Sequence, residues 1–399
     1  MSDRALFYKY LGLPSAKPMG LEIKFAEGIH LFGPKGEKYV DLVSGVAVSN
    51  IGHRHPEVIS AITEQLDQYL HLMVYGDMIQ SPQVRLAEEL TRVLPSSLDA
   101  VYFVNSGSEA IEGALKLAKR VSGRSEVIAF RNAYHGGTQG ALSILGNEHL
   151  KNAFRPLIPD TRFLAFNNIE DLDHISEKTA CVVLESIQAE AGIILPDDGF
   201  PEALDKRCKE MGALLVLDDI QMGFGRTGKL FSFEHFGFVP DILALAKGMG
   251  GGMPIGAFIA SREMMNTFTF NPELGHITTF GGHPVCCAAA LANLQVIQKN
   301  KLVNTAGKKG QLFYDLLKDH PLVKEIRYKG LMMAVDVGDP LIMDRLYDAL
   351  IKDRLITDRF LFRPSAFRIA PPLVIAEDQI ERISQRIIKC MDKCVKREG

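Results

Sequence analysis

The sequence predicts an α/β protein: a large domain with a mostly parallel sheet covered by helices, and a smaller α+β domain made from both termini. Two observations carry this expectation. Six short apolar runs recur between helical patterns: VYFV (101–104), VIAF (127–130), CVVL (181–184), ALLVL (213–217), ILAL (242–245) and GAFIA (256–260). Near-continuous apolar strands are buried on both faces, as in a parallel sheet flanked by helices. The texture then changes beyond about residue 300, where strand, proline stop and one long helix follow each other. The 399 residues, 47% hydrophobic and 23% charged, supply the material for a large core.

Taken in order, residues 1–50 are expected to form the N-terminal part of the smaller domain. Within them FGPKGEKYVDL reads as a hairpin, with turn signals at Gly33-Pro34 and Gly36. Residues 51–299 form the large domain. The run VYFV leads into a helix that Ser108 is expected to cap, with Ile111, Ala114, Leu115, Ala118 and Val121 as its apolar stripe. Residues 300–399 complete the smaller domain. There GLMMAVDV (330–337) reads as a strand and FRIAPPL (367–373) as an extended segment stopped by two prolines. A last helix places Ile380, Ile383, Ile387, Met391 and Val395 on one side.

Charge and composition exclude several classes. The formal net charge is −3 and no Lys/Arg run is present, so nucleic acid is not an expected partner. Six cysteines are too few for a disulfide framework and read as buried free thiols. MSDRALFYKYLG has no signal-peptide core, and the apolar stretch from Val285 is broken by Asn293 and Gln295. The expectation is a soluble, cytoplasmic protein that meets no membrane. His53 and His55 in GHRHP have no third ligand at useful spacing, so no metal is expected.

Four features carry chemistry. In ILALAKGMGGGMPIGA (242–257) a buried strand ends at Lys247 and a glycine run follows. Burying an unpaired ammonium is costly and lowers its pKa, which suits an amine that forms a Schiff base; a surface lysine beside a flexible loop fits the segment equally well. In GALLVLDDIQMGFGRTG (212–228) Asp218 ends an apolar strand. Ligands of parallel sheets sit beyond such strand ends, and a carboxylate there can hold a pyridine nitrogen protonated; it also suits a cap or turn residue. VYFVNSGSEAIEGALKLAKR (101–120) runs from strand through Asn-Ser-Gly-Ser-Glu into a helix, which makes a phosphate site or a plain capping box. In AYHGGTQG (133–140) Tyr134 is placed to lie on a cofactor ring or simply to occupy a loop. Gly223–Gly228 also matches the dinucleotide fingerprint GxGxxG, but the aromatic, non-periodic KLFSFEHFGFVPD after it is no helix.

Together, from GVAVSNIGHRHPEV (45–58) to FRIAPPL (367–373), these stretches resemble the class III (ω-amino) aminotransferases of the fold-type I pyridoxal-phosphate family, the acetylornithine and ornithine enzymes in particular. LDDIQMGFGRTG and LAKGMGGGMPIGA at this separation are the specific part of the likeness, and they make the glycines after Asp218 a family loop. The resemblance implies pyridoxal 5′-phosphate bound covalently to Lys247, with Asp218 on the pyridine nitrogen and Gln221 near the ring hydroxyl. Ser106, Gly107 and Ser108 would hold the phosphate, with Tyr134 stacked on the ring and His135, Glu185 and Gln188 close by. Thr279, in HITTFGGHP, would reach the phosphate of a neighbouring subunit's cofactor, which implies a homodimer with shared sites. Glu190 and Arg368 would form a gate, the arginine binding a substrate carboxylate once the glutamate releases it.

The implied reaction moves an amino group from a terminal amine, such as that of N-acetylornithine or ornithine, to 2-oxoglutarate. Two departures bear on substrate. Val46 stands where ornithine-type enzymes carry tyrosine, and Gly137 where both branches carry an α-carboxylate-binding arginine. The same cofactor also serves an aminomutase, racemase or decarboxylase, and a third reading is a non-catalytic ligand-binding relative.

Overall fold

A computed structural model describes residues 2–395; Met1 and 396–399, the outer ends of the two terminal segments, lie outside the described residues. The apolar runs become a seven-stranded sheet of β1 (Ala100–Val104), β2 (Glu126–Phe130), β3 (Thr161–Leu164), β4 (Thr179–Glu185), β5 (Leu214–Asp218), β6 (Ile242–Leu245) and β7 (Gly256–Ala260). Their spatial order is β1-β7-β6-β5-β4-β2-β3. Strands β2 to β6 pair in parallel, and β7 runs antiparallel to both its neighbours. The edge strand β3 was not among the expected runs: TRFL is half polar, with Arg162 exposed, so it lacks the continuous apolar signal of a central strand.

Every residue of β4 is buried, which is what its sequence, TACVVLE, requires of a strand covered on both faces. The helix Gly107–Ser122 lies against this sheet with Ala110, Ile111, Ala114, Leu115, Leu117 and Ala118 buried. A Cβ at Gly113 would overlap the Phe258 ring, so the glycine lets helix and β7 approach. The helix starts two residues earlier than expected. Its N-cap is Ser106, not Ser108, and the Ser106 hydroxyl accepts from Glu109 N; Ser108 is left free for another task.

Of two smaller sheets, one joins the ends of the chain and the other is built from its C-terminal part alone. Phe25–Glu27, His30–Phe32 and Lys38–Asp41 form an antiparallel meander, and Leu355–Ile356 pairs in parallel with its last strand. Glu325–Lys329, Met332–Asp336 and Ala366–Ile369 form the other, antiparallel sheet. The final helix, Glu377–Val395, buries Ile380, Ile383, Ile387 and Met391, whereas Val395 is exposed.

The segment 223–228 is a series of turns followed by bends, so the GxGxxG match lacks the helix a dinucleotide site requires. Its arginine is structural. Arg226 is fully buried and donates to the carbonyls of Leu331 and Pro371 and to Asn50 Oδ1. One side chain thereby ties the loop after β5 to both ends of the chain.

Candidate active site

Register fixes the centre of the site. Glu185 at the end of β4 pairs with Asp218 at the end of β5, and Asp218 pairs with Ala244 on β6. Lys247 follows two residues beyond β6. The loops after β1 and β2 leave the same edge and bring Ser106 and Tyr134. All these groups line one cavity of about 430 Å³, at the carboxyl ends of the strands where ligands of α/β sheets bind. Its lining takes in Ser106, Gly107, Ser108, Tyr134, His135, Glu185, Glu190, Asp218, Gln221 and Lys247.

Lys247 has φ +46, a left-handed conformation uncommon for a residue with a side chain. Burial, then the Arg368 charge, lowers its pKa against the pull of Glu190, Asp218 and Glu185. A depressed pKa leaves more of the amine neutral and nucleophilic near neutral pH. Asp218 Oδ2 meets His135 Nδ1 at 2.8 Å, and its Oδ1 accepts from Ile220 N. His135 is buried, and its Nε2 has no hydrogen-bond partner. Glu185 accepts from the N–H groups of Tyr134 and Ala189; burial, then the Asp218 charge, nonetheless push its carboxyl well above the usual range.

At the other end of the cavity the loop Ser106-Gly107-Ser108 opens a sixteen-residue helix, whose first amides and dipole favour an anion. A Cβ at Gly107 would press on Ile220, and one at Gly136 would overlap Ser108 Oγ. Gly136 also has φ +131, open to glycine and strained for other residues. Gly136→Ala is therefore expected to displace Ser108, to weaken cofactor binding by about tenfold or more, and to cost about 1–3 kcal/mol of stability. Cofactor titration by fluorescence and thermal melts of the apo protein check the two effects separately.

Arg368 and Thr279 do not line this cavity. Arg368 lies behind its wall, donating to Glu190 Oε1 and to Gln221 Oε1 at 2.7 Å each. Burial pushes the Glu190 carboxyl up, but Arg368 outweighs it and leaves it below its ordinary range. Thr279 is exposed; its neighbour Thr278 accepts from Asn105 instead. Gln188 donates to the Arg131 carbonyl and sits outside the lining. Gly137 is exposed, with nothing within 4 Å of where a Cβ would stand.

Sequence reasoning missed several lining residues. Val48, Ile187 and Met222 form an apolar part of the wall. Val48 is brought there by four successive residues at positive φ, Ser44 (54°), Gly45 (62°), Val46 (63°) and Ala47 (61°). Asp41 Oδ1 accepts from Val43 N and Ser44 N, and the Ser44 hydroxyl donates to the Ala370 carbonyl, which holds this turn. Val46 lies on the turn, half-buried, and is not itself in the lining.

Comparison with known proteins identifies the family. The profile of the class III aminotransferases matches residues 13–391. The acetylornithine aminotransferase of Methanopyrus kandleri is 38% identical over 363 residues, 89% of this chain and 90% of that protein. The chain belongs to the class III aminotransferases. Solved relatives agree. An ornithine aminotransferase from Toxoplasma gondii, with pyridoxal phosphate partly occupying its active site, superposes with TM-score 0.91 at 28% identity, over 98% and 94% of the two chains. The adenosylmethionine-8-amino-7-oxononanoate aminotransferase of Methanocaldococcus jannaschii gives 0.91 at 28% identity over 98% of each. This class III aminotransferase uses pyridoxal 5′-phosphate, and the cavity fits that group. A glycine-lined helix N-terminus suits the phosphate, a buried carboxylate the ring nitrogen, and an amine of lowered pKa the aldehyde.

Among the described residues no helix is long and apolar enough to cross a membrane, and no cluster of His, Cys, Asp and Glu is arranged to hold a metal. His53 pairs with Asp41 at 2.8 Å, and His55 Nδ1 caps the helix Pro56–Leu66.

Proposed function

We propose that this aminotransferase takes a terminal primary amine as donor and a 2-oxo acid as acceptor, with Lys247 as the group that holds the cofactor and moves the proton. The observation that carries the reading is the convergence of Lys247, Asp218 and Glu185 at neighbouring strand ends, the lysine depressed by burial. Bound pyridoxal phosphate supplies an aldehyde that captures an amine and a ring that accepts the electron pair released at the substrate carbon. The protein supplies the rest. Ser106, Gly107 and Ser108 anchor the phosphate at the helix start. Asp218, oriented by His135, would keep the ring nitrogen charged, Tyr134 would cover the ring, and Gln221 and Glu185 would flank it. Lys247 would hold the cofactor at its aldehyde and carry the proton at the substrate carbon.

N-acetylornithine and ornithine are the proposed donors and 2-oxoglutarate the acceptor, a choice supported by the Methanopyrus relative; the apolar wall of Val48, Ile187 and Met222 would receive the donor chain. Glu190 is proposed to cover Arg368 while the donor reacts and to yield it to the acceptor's carboxylate. A homodimer is proposed, with Thr279 completing the partner's phosphate site. Its support is a set of large apolar side chains left in solvent: Met73, Tyr75, Ile79, Ile277 and Phe280 stand exposed, Ile79 at 96%, and the Phe280 ring lies 4.9 Å from that of His71. Residues 1–50 with 300–399 are proposed as the small domain, 51–299 as the large one, and the cytoplasm as the compartment.

One experiment tests the core of this. Holoenzyme reduced with borohydride and digested should carry the cofactor on Lys247. Unreduced enzyme should lose its yellow colour with N-acetylornithine or ornithine and regain it with 2-oxoglutarate. Label on any other residue, or no bleaching by any amine, rejects the assignment.

A further inference from the structure

Arg368 carries a second counter-ion that no part of the proposed reaction uses. Its Nε lies 3.0 Å from Asp358 Oδ1, and neither of these two buried atoms has another partner. The backbone holds the pair together: Arg368 N donates to the Asp358 carbonyl at 3.0 Å, and the Thr357 hydroxyl donates to the Arg368 carbonyl at 2.6 Å. An isolated bridge between Arg359 and Phe367 closes the arrangement. The guanidinium also lies over the Phe360 ring, 4.6 Å from its centroid.

The backbones behind the two carboxylates are tied differently, that of Asp358 to Arg368 itself and that of Glu190 to Phe362, whose N–H donates to its carbonyl. Glu190 reaches Arg368 from a loop after β4, and what else holds its carboxylate is a 3.2 Å bond from Leu361 N and a 3.5 Å contact with Gln221 Nε2. Asp358 sits on the strand-like segment paired with Arg368 itself. A rotation of the Glu190 side chain removes one anion and leaves the other in place. A substrate carboxylate arriving at Arg368 then shares the guanidinium with Asp358, and like charges around one cation oppose each other. Asp358 also keeps the guanidinium neutralised while Glu190 is away, since a buried arginine left with Gln221 and no anion would be costly to maintain.

We propose that Asp358 is a positioning residue that stays on Arg368 when Glu190 releases it, and so limits how tightly the enzyme grips substrate carboxylates. This rests on the aminotransferase reading and on Glu190 and Arg368 acting as its gate. In a two-stage reaction such a limit has a use: the carboxylate-bearing acceptor must leave, as a product amino acid, before the next donor enters.

The test uses holoenzyme already bleached by a donor amine, so that a failure here leaves the aminotransferase reading standing. Glutarate, a dicarboxylate with no keto group, is titrated into it by calorimetry. Asp358→Asn removes the charge and keeps the shape; its glutarate Kd is expected to fall about tenfold, and Asp358→Glu to return it to the wild-type value. The bleaching rate with n-butylamine, which has no carboxylate, should change at least about fivefold less than the glutarate Kd does. Unchanged or weaker glutarate binding in Asp358→Asn overturns the proposal, as does an equal change in both measurements, which would mean the residue is merely structural.

Discussion

Lys247→Ala is expected to lower turnover by at least about 10⁴-fold, the upper range for loss of a positioned acid–base group, because in the proposed reaction the proton carrier and the nucleophile are one amine. The fold should survive, since Lys247 makes no ion pair among the described residues and its left-handed φ of +46 is a strain the smaller side chain does not increase. The variant should still bind cofactor through the helix start and Asp218, but non-covalently, so dialysis removes it and borohydride fixes none of it. Added methylamine offers a replacement amine in the vacated space and should restore a small, concentration-dependent rate. Stopped-flow measurement of the single half-reaction with donor separates this chemical loss from any loss of cofactor. A half-reaction at the wild-type rate would sink the assignment of Lys247.

The site was legible where a residue type had no comfortable structural alternative. A lysine after ILAL and an aspartate after LLVL are costly placements for a core, and both stand at strand ends facing one cavity. The strands themselves were legible because burial on both faces writes itself as apolar runs. What stayed hidden depends on backbone shape or on tertiary partners. TRFL became an edge strand only because β2 offers it a parallel register. Nothing in SGVA announces four successive positive φ values, three of them in residues with side chains; such a conformation persists only where the surroundings over-determine it. The helix cap moved from Ser108 to Ser106, and the displaced serine now accepts from Gly137 N beside the helix start.

The resemblance supplied what residue chemistry alone left open. Arg368 and Glu190 sit far apart in the sequence, and nothing in FRIAPPL or QAEAG indicates that they meet at 2.7 Å. Asp358 escaped both kinds of reading, because its pairing with Arg368 follows from a backbone register in a turn-rich segment. Likeness to a family locates the groups a reaction shares; local register decides which further charges stand beside them.

Asp218→Asn should cut kcat by on the order of 10²–10³-fold, equivalent to roughly 3–4 kcal/mol, the cost of truncating one member of a buried, hydrogen-bonded charge pair. Asparagine fills the same volume, so the loss reports charge rather than packing. Two local contacts make the consequence specific. Ile220 N can still donate to the amide oxygen in the place of Asp218 Oδ1, but His135 Nδ1, 2.8 Å from Oδ2, would face an N–H unless the amide turns or the imidazole changes tautomer. Without the carboxylate the ring nitrogen loses the partner that keeps it charged, and the electron pair released at the substrate carbon has a weaker sink. Donor KM should move far less than kcat, since the helix start at Ser106–Ser108 and the apolar wall are untouched. Cofactor affinity should weaken as well, read by titration of apo protein. A variant with near-normal kcat would mean that the carboxylate at the end of β5 serves only to orient His135.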